Sequence, residues 1–248
     1  MPLIVFDIDG TLTQTTGLDD RCFIDTVGEV LGVRGVDPDW AHYPHATDSG
    51  LVHEISLRYR GSGPTAEEVA NFHARFCERL REAAAVAGRI AVVPGAVALL
   101  AEIAGRSGWG AALATGAWRE SARIKLAAAG LDVAGLPSAF ADDAWARADI
   151  AAFAIGRALG AAFEPQRESA RAFVDRVRNE ADGIVYVGDG VWDLRTAQLL
   201  GLGFVGVRVA GDGERLVAQG ADPRAIVSGF EPLAAMIERL TIAARSTP

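Results

Sequence analysis

Lysine is almost missing from this chain: 23 of its 24 basic residues are arginine, and the single lysine is Lys125. No run of Lys and Arg exists and the formal charge is −8, so no surface for nucleic acid or for an anionic membrane is expected. No apolar stretch approaches the roughly 20 residues that cross a bilayer. Residues 3–6 already read as strand, which leaves no room for a signal peptide, and a cytoplasmic protein is expected. The two cysteines, Cys22 and Cys77, have no metal-ligand partner at useful spacing, and in a reducing compartment they read as small buried hydrophobes. Neither starts a cysteine-phosphatase loop, because Gly28 and Ala83 occupy the positions where that loop needs arginine. The four histidines, His42, His45, His53 and His73, all precede residue 88 and lie outside the motifs described below, which argues against histidine-phosphatase chemistry. A dinucleotide fold would place G-x-G-x-x-G after its first strand, and here that position reads D-G-T-L-T.

What is present is a chain of 248 residues, half of them hydrophobic, enough to bury a sizeable core. Short apolar runs recur at 3–9 (LIVFDID), 109–115 (WGAALAT), 138–142 (SAFAD), 183–189 (GIVYVGD) and 204–209 (FVGVRV). Amphipathic segments separate them, such as PGAVALLAEIAGR and AWRESARIKLAAAG, the second ending at a helix-stopping Gly130. Alternating strands and helices predict an α/β fold, a Rossmann-like doubly wound parallel sheet. The first two strands are separated by roughly ninety residues where a crossover needs about thirty, so an insertion is expected. Residues 16–88 carry helical periodicity only: Leu51, Ile55 and Tyr59 share one face, and Val69, Phe72, Phe76 and Leu80 another after the capping box Thr65-x-x-Glu68. The expected organisation is a core of residues 1–15 and 89–248 with a helical cap at 16–88, hinged near Gly17 and at 87–95. No internal repeat or low-complexity tract is present.

Ligands of open α/β sheets bind beyond the carboxyl ends of the strands. Those ends read Asp7-Ile8-Asp9-Gly10-Thr11, Thr115-Gly116, Asp142-Asp143 and Gly188-Asp189-Gly190-Val191-Trp192-Asp193. Four carboxylates converging from two strands are costly unless a cation neutralises them, and magnesium suits hard oxygen ligands completed by water and phosphate. Strand alternation puts Asp7 and Asp9 on one face, so both can look into one site.

In this order and at these strand ends, DIDGTLT, ATG and GDGVWD resemble the haloacid dehalogenase superfamily, and in particular its members with a helical cap, such as relatives of phosphoglycolate phosphatase and β-phosphoglucomutase. The core motifs cover residues 1–15 and about 94–210, while the cap matches in position and helical character only. The resemblance implies a magnesium-dependent phosphatase acting on a small phosphorylated metabolite. Asp7 would be the nucleophile and form an aspartyl-phosphate, and Asp9 the general acid and base. Magnesium would be held by Asp7, the backbone carbonyl of Asp9, Asp189 and Asp193. Thr115 would bind the phosphoryl group with neighbouring backbone N–H groups, and Gly10 and Gly116 would allow close backbone approach. A phosphomutase of the same superfamily uses the same aspartates and stays open, as does a non-catalytic phospho-acceptor or phosphate-binding module. A dehalogenase is disfavoured, because displacing halide needs no general acid such as Asp9.

One feature departs from the family pattern. A lysine is usual just after the third strand, and the matching stretch DDAWARADI has Arg147 there. Arginine carries the charge and grips phosphate bidentately but needs different room. Lys125, on the helix after Thr115, is the other possible donor, reaching back because helical side chains lean toward the N-terminus. In the cap, Thr47-Asp48 resembles the specificity turn of phosphoglycolate phosphatase relatives, or else caps the helix beginning there. His42 and His45 read as surface or packing residues rather than as a ligand pair. Arg58 and Arg60 could meet a second anionic group on the substrate or lie in solvent. Trp118, Trp145 and Trp192 either pack in the core or wall the site. The sequence leaves the substrate and the oligomeric state open.

Overall fold

The computed structural model describes residues 2–208 and 213–245. Six parallel strands form one sheet in the order β3-β2-β1-β4-β5-β6: β1 (Leu3–Phe6), β2 (Gly110–Ala114), β3 (Ser138–Ala139), β4 (Ile184–Gly188), β5 (Gly203–Val207) and β6 (Ile226–Val227). The central strand β1 is buried along its whole length, as a parallel strand covered on both faces must be. Its alternation divides the core in two. Ile4 and Phe6 pack with residues of α4 (Ala96–Gly105), α5 (Arg119–Ala129) and α10 (Leu233–Arg245), while Leu3 and Val5 pack with α6 (Arg147–Leu159), α7 (Ala170–Val177) and α8 (Val191–Leu200). Because both faces of β1 are apolar, hydrophobicity alone does not set its register. A slip by one residue would instead draw the carboxylate of Asp7 into the sheet, a penalty that holds the strand end in place.

The first, second and fourth apolar runs become strands, with register pairs such as Phe6↔Leu113 and Phe6↔Val187. The third run is strand only at Ser138–Ala139. Beyond it, Asp142 accepts a hydrogen bond from the Arg119 N–H at 2.6 Å, and Asp143 pairs with Arg157 at 2.6 Å, so both carboxylates are committed away from the centre. The fifth run is strand through Val207, and residue 209 lies outside the described residues. The edge strand β6 has only two residues, too few for a periodic signal.

Between β1 and α4 the chain is helical. α1 (Thr16–Thr26) runs into a wider turn at Val27–Leu31, and a short 3₁₀ turn covers Trp40–His42 before α2 (Asp48–Arg60) and α3 (Ala66–Ala87). Thr65 and Glu68 form the reciprocal capping box at the start of α3. Phe23, Leu51, Ile55, Phe72, Phe76 and Leu80 bury one another in a separate apolar cluster, which Trp118 joins from the sheet side. Tyr59 departs from the expected face, being partly exposed, with its hydroxyl accepting from the Asp37 N–H at 3.0 Å. The two chain passages into and out of this segment lie together: Gln14 N–H donates to Ala91 at 2.9 Å and Val93 N–H to Leu12 at 2.9 Å. Among the described residues no helix is long and apolar enough to cross a membrane.

Candidate active site

Beyond the carboxyl end of β1 the chain turns sharply. The N–H groups of Thr11, Leu12 and Thr13 all donate to the Ile8 carbonyl, and Gly10 takes a φ of 73°. A Cβ on Gly10 would lie 1.9 Å from Asp189 Oδ2, so any side chain here would displace that carboxylate. The turn leaves Asp7 and Asp9 on the wall of a cavity of about 350 Å³ between the sheet end and the helical segment.

Asp7, Asp189 and Asp193 can each bring one carboxylate oxygen within 4.8 Å of the others. Burial raises all three: Asp7 to about 7, pulled down by Arg147 and pushed up again by Asp193 and Asp9, Asp189 well above the usual range, and Asp193 upward despite Arg147. Their only contact cation among the described residues is Arg147, whose Nη1 lies 2.6 Å from Asp193 and 3.3 Å from Asp7. Two buried carboxylates and a half-buried third against one guanidinium leave negative charge for a further cation to balance. The donor set is all oxygen, which suits magnesium, and Asp7, Asp189 and Asp193 are the side chains that would hold it. The carboxylate of Asp9 is not in this group. Thr15 Oγ1 donates to one of its oxygens, and Lys125 Nζ donates to the other at 2.6 Å.

The two basic residues that competed for one place at the sequence level therefore hold different ones. Arg147, first residue of α6, stands against Asp7. Lys125, only 1% exposed, bridges Asp9 and Asp19 at 2.6 Å each. Burial disfavours its charge, but Asp19, Asp9 and Asp48 outweigh that and drive its pKa up. Arg147 also donates from Nε to the Ala46 carbonyl at 3.0 Å, tying the sheet end to the helical segment. Gly116 makes this possible, since a Cβ there would lie 2.6 Å from the Ala46 oxygen and 2.7 Å from Arg147 Nη2. Its close approach is thus to the protein's own arginine. Thr115 is buried with its hydroxyl accepting from Ala117 N–H at 3.3 Å, and α5 begins only at Arg119. Gly116 and Ala117, rather than the Thr115 side chain, line the cavity.

Thr47 and Asp48 line the cavity and also tie α2 to the sheet end. Thr47 is the N-cap of α2 and donates to the Trp145 carbonyl at 2.8 Å. Asp48 Oδ2 accepts from Trp118 N–H at 2.8 Å and Ser121 Oγ at 3.2 Å. Burial pushes the Asp48 carboxyl up to about 6 from 3.8, against the lowering pull of Lys125 and these donors. Because the folded value lies above the unfolded one, the stability Asp48 contributes is complete below pH 3.8 and is lost as pH rises through about 6. The uncharged Asp48→Asn, whose amide oxygen can accept both bonds, is expected to gain on the order of 1–3 kcal/mol relative to wild type between pH 4 and 7. Thermal melts across that range measure it, and parallel curves for the two proteins would contradict it.

The other expectations divide. Trp192 lines the cavity, with the Arg147 guanidinium carbon 5.6 Å from its ring, whereas Trp118 packs on Phe72 and Phe76 and Trp145 is half exposed beside His53. His42 is exposed and pairs with Asp37 at 2.8 Å, and His42 and His45 form no ligand group. Arg58 lies over Tyr43 and Arg60 pairs with Glu68, so neither lines the cavity. Cys77 does have ligand-type neighbours, contrary to the spacing argument: His73 one turn upstream at 3.9 Å, and Glu120 from α5. Glu120 is also engaged by Arg81, His73 packs edge-on against Trp118, and burial followed by Glu120 pushes the thiol up to about 12. The sequence reading missed Asp19, Asp20, Phe23, Asp39, Trp40 and Arg215, which complete the cavity wall. An Asp-Asp pair in a helix and one arginine among 23 carry no local mark of shared location.

The site thus sits beyond the carboxyl ends of β1 and β4 in a β3-β2-β1-β4-β5-β6 parallel sheet, where a carboxylate-bearing turn faces an acidic loop. The chain belongs to the haloacid dehalogenase-like hydrolase family, whose model matches residues 1–201. It is similar in structure to a hydrolase from Pseudomonas syringae (19% identity, TM-score 0.64, covering 96% of this chain and 98% of that one). A putative β-phosphoglucomutase from Bacteroides vulgatus is also similar (17%, TM-score 0.69, 99% and 90%), as is CbbY from Rhodobacter sphaeroides solved with phosphate (24%, TM-score 0.58, 93% and 95%). Comparison with curated proteins gives no match.

Proposed function

We propose that the chain is a magnesium-dependent phosphatase that hydrolyses a small phosphate monoester through an aspartyl-phosphate on Asp7. The observation that carries this reading is the convergence of Asp7, Asp189 and Asp193 on one cation-demanding point, with Asp9 beside it but held outside the group. Asp7 attacks phosphorus, forming the acyl-phosphate bond as the ester oxygen leaves. Asp9 gives that oxygen its proton and then takes one from the water that cleaves the acyl-phosphate. Thr15 and Lys125 hold the two oxygens of Asp9 in place for both transfers. Arg147 steadies the charge on Asp7 and offers its remaining donors to the phosphoryl oxygens. When bound, magnesium would offset phosphate charge and orient the phosphoryl group.

Residues 16–88 act as the cap, and their docking through Thr47, Asp48 and Ala46 excludes water from the cavity. The substrate is a small metabolite met without nucleic acid or membrane, in a cytoplasmic setting. A phosphomutase would use the same aspartates but pass the phosphoryl group to a second hydroxyl. Release of inorganic phosphate from p-nitrophenyl phosphate with added magnesium, lost on chelation and restored by magnesium, is the expected result. A phosphoprotein that forms and does not turn over would overturn it in favour of a phospho-acceptor.

A further inference from the structure

Resting on the phosphatase reading, the geometry points to the phosphate ester of an amino alcohol as the substrate, with its ammonium group received by Asp20 against the Trp40 and Phe23 wall of the cavity. Asp20 Oδ1 accepts from Trp40 Nε1 at 2.6 Å, the only hydrogen bond its side chain makes with the described residues. The Trp40 ring meets Phe23 edge-on, with centroids 5.6 Å apart, and Leu51 completes this end. A carboxylate beside an indole offers a cation both a counter-charge and a π face.

The charge inventory of the cavity selects the cation over the alternatives. Its lining carries the carboxylates Asp7, Asp9, Asp19, Asp20, Asp39, Asp48 and Asp189 but only two basic residues, Arg147 and Arg215. Arg215 is bound to Asp39 at 2.5 Å, Lys125 behind the wall is bound to Asp9 and Asp19, and Arg147 is bound to Asp193. Arg58 and Arg60, which could have met a second anion, lie elsewhere. A phosphoryl group brings further negative charge into this space. Even with a divalent ion at Asp7, Asp189 and Asp193, and with Asp19 and Asp39 matched by Lys125 and Arg215, Asp20 has no ion-pair partner among the described residues. An ester whose far end is a carboxylate or second phosphate would add repulsion at close range. A neutral polyol would supply donors but no charge, and an ammonium supplies both. Burial, with the Asp9 charge adding to it, raises the pKa of the Asp20 carboxyl against the lowering pull of the Trp40 hydrogen bond, Lys125 and Arg21. The cavity volume of about 350 Å³ is at the small end for ligand sites, which run roughly 300–1,000 Å³, and fits a short amino alcohol.

The test compares kcat/KM for O-phosphoethanolamine, phosphocholine, glycerol phosphate and phosphoglycolate, with p-nitrophenyl phosphate as the reference ester. The expected order has at least one amino ester about tenfold or more above glycerol phosphate, and phosphoglycolate lowest. In Asp20→Asn, which keeps an oxygen for Trp40, the ratio of the amino ester to glycerol phosphate is expected to collapse toward one. A purely structural role would lower both esters together and leave that ratio intact, overturning the assignment. On the wild type alone, ethanolamine or choline should inhibit p-nitrophenyl phosphate hydrolysis where glycolate at equal concentration does not. Hydrolysis of p-nitrophenyl phosphate with phosphoglycolate or glycerol phosphate preferred over both amino esters would overturn this inference and leave the phosphatase reading standing. Absence of hydrolysis of every ester would remove both.

Discussion

Asp7→Asn is expected to lower phosphate release by on the order of 10⁴–10⁶-fold, the range seen when a covalent nucleophile is removed. The amide is nearly isosteric but supplies no carboxylate oxygen to attack phosphorus, and Arg147 keeps a partner in Asp193 at 2.6 Å. Folding should survive. Asp7 is 2% exposed and burial lifts its carboxyl to about 7, so a neutral side chain removes a buried charge rather than exposing one. Initial rates with p-nitrophenyl phosphate, alongside thermal melts, check both halves. A folded variant that retained a tenth of the wild-type rate would eliminate Asp7 as the nucleophile.

The second large effect is expected at Arg147. Arg147→Ala leaves Asp7 and Asp193 buried together without their contact cation and breaks the bond to the Ala46 carbonyl. Removing one partner of a buried ion pair typically costs about 3–5 kcal/mol, and losing a positioned donor to a transferring group about 10²–10³ in kcat. Arg147→Lys separates these roles. A lysine restores the charge facing Asp7, as in the pattern usual for the family, but has one nitrogen where the guanidinium uses Nη1 for the carboxylates and Nε for Ala46. Its kcat should therefore recover most of the loss while KM rises, because the helical segment is held less firmly over the cavity. Steady-state kinetics on the three proteins resolve this. A lysine variant as impaired in kcat as the alanine one would show that charge beside Asp7 is not what Arg147 supplies.

The fold was legible where local chemistry repeats. Four-residue β1 reads as Leu-Ile-Val-Phe because both its faces are covered, and the Thr65 and Glu68 capping box marks a helix start whatever surrounds it. β3 and β6, with two residues each, carry no period and were misjudged in length or missed. At the site, Asp7 and Asp189 were legible because each directly follows a strand, with Asp193 in the first turn of α8 just beyond, and strand order then brings these three together, while the Asp9 carboxylate stands outside the group. Thr115 obeyed the same logic and still turned its hydroxyl to Ala117 N–H, since side-chain direction within a loop depends on that loop's own hydrogen bonds.

Lys125 and Arg147 mark the boundary most clearly. Periodicity and strand-end chemistry, both set by residues within a few positions of one another, determined an α/β sheet, an inserted helical segment and an acidic centre calling for a cation. Nothing local could rank two basic residues 22 positions apart as rivals or partners. Their places were decided when α5 and α6 packed on opposite faces of the sheet, α5 bringing Lys125 to Asp9 and Asp19, and α6 bringing Arg147 to Asp7 and Asp193. The end of the cavity against the helical segment was decided in the same way. Asp20, Trp40 and Arg215 come from separate elements, so the charge that this wall offers a substrate exists only in the packed molecule.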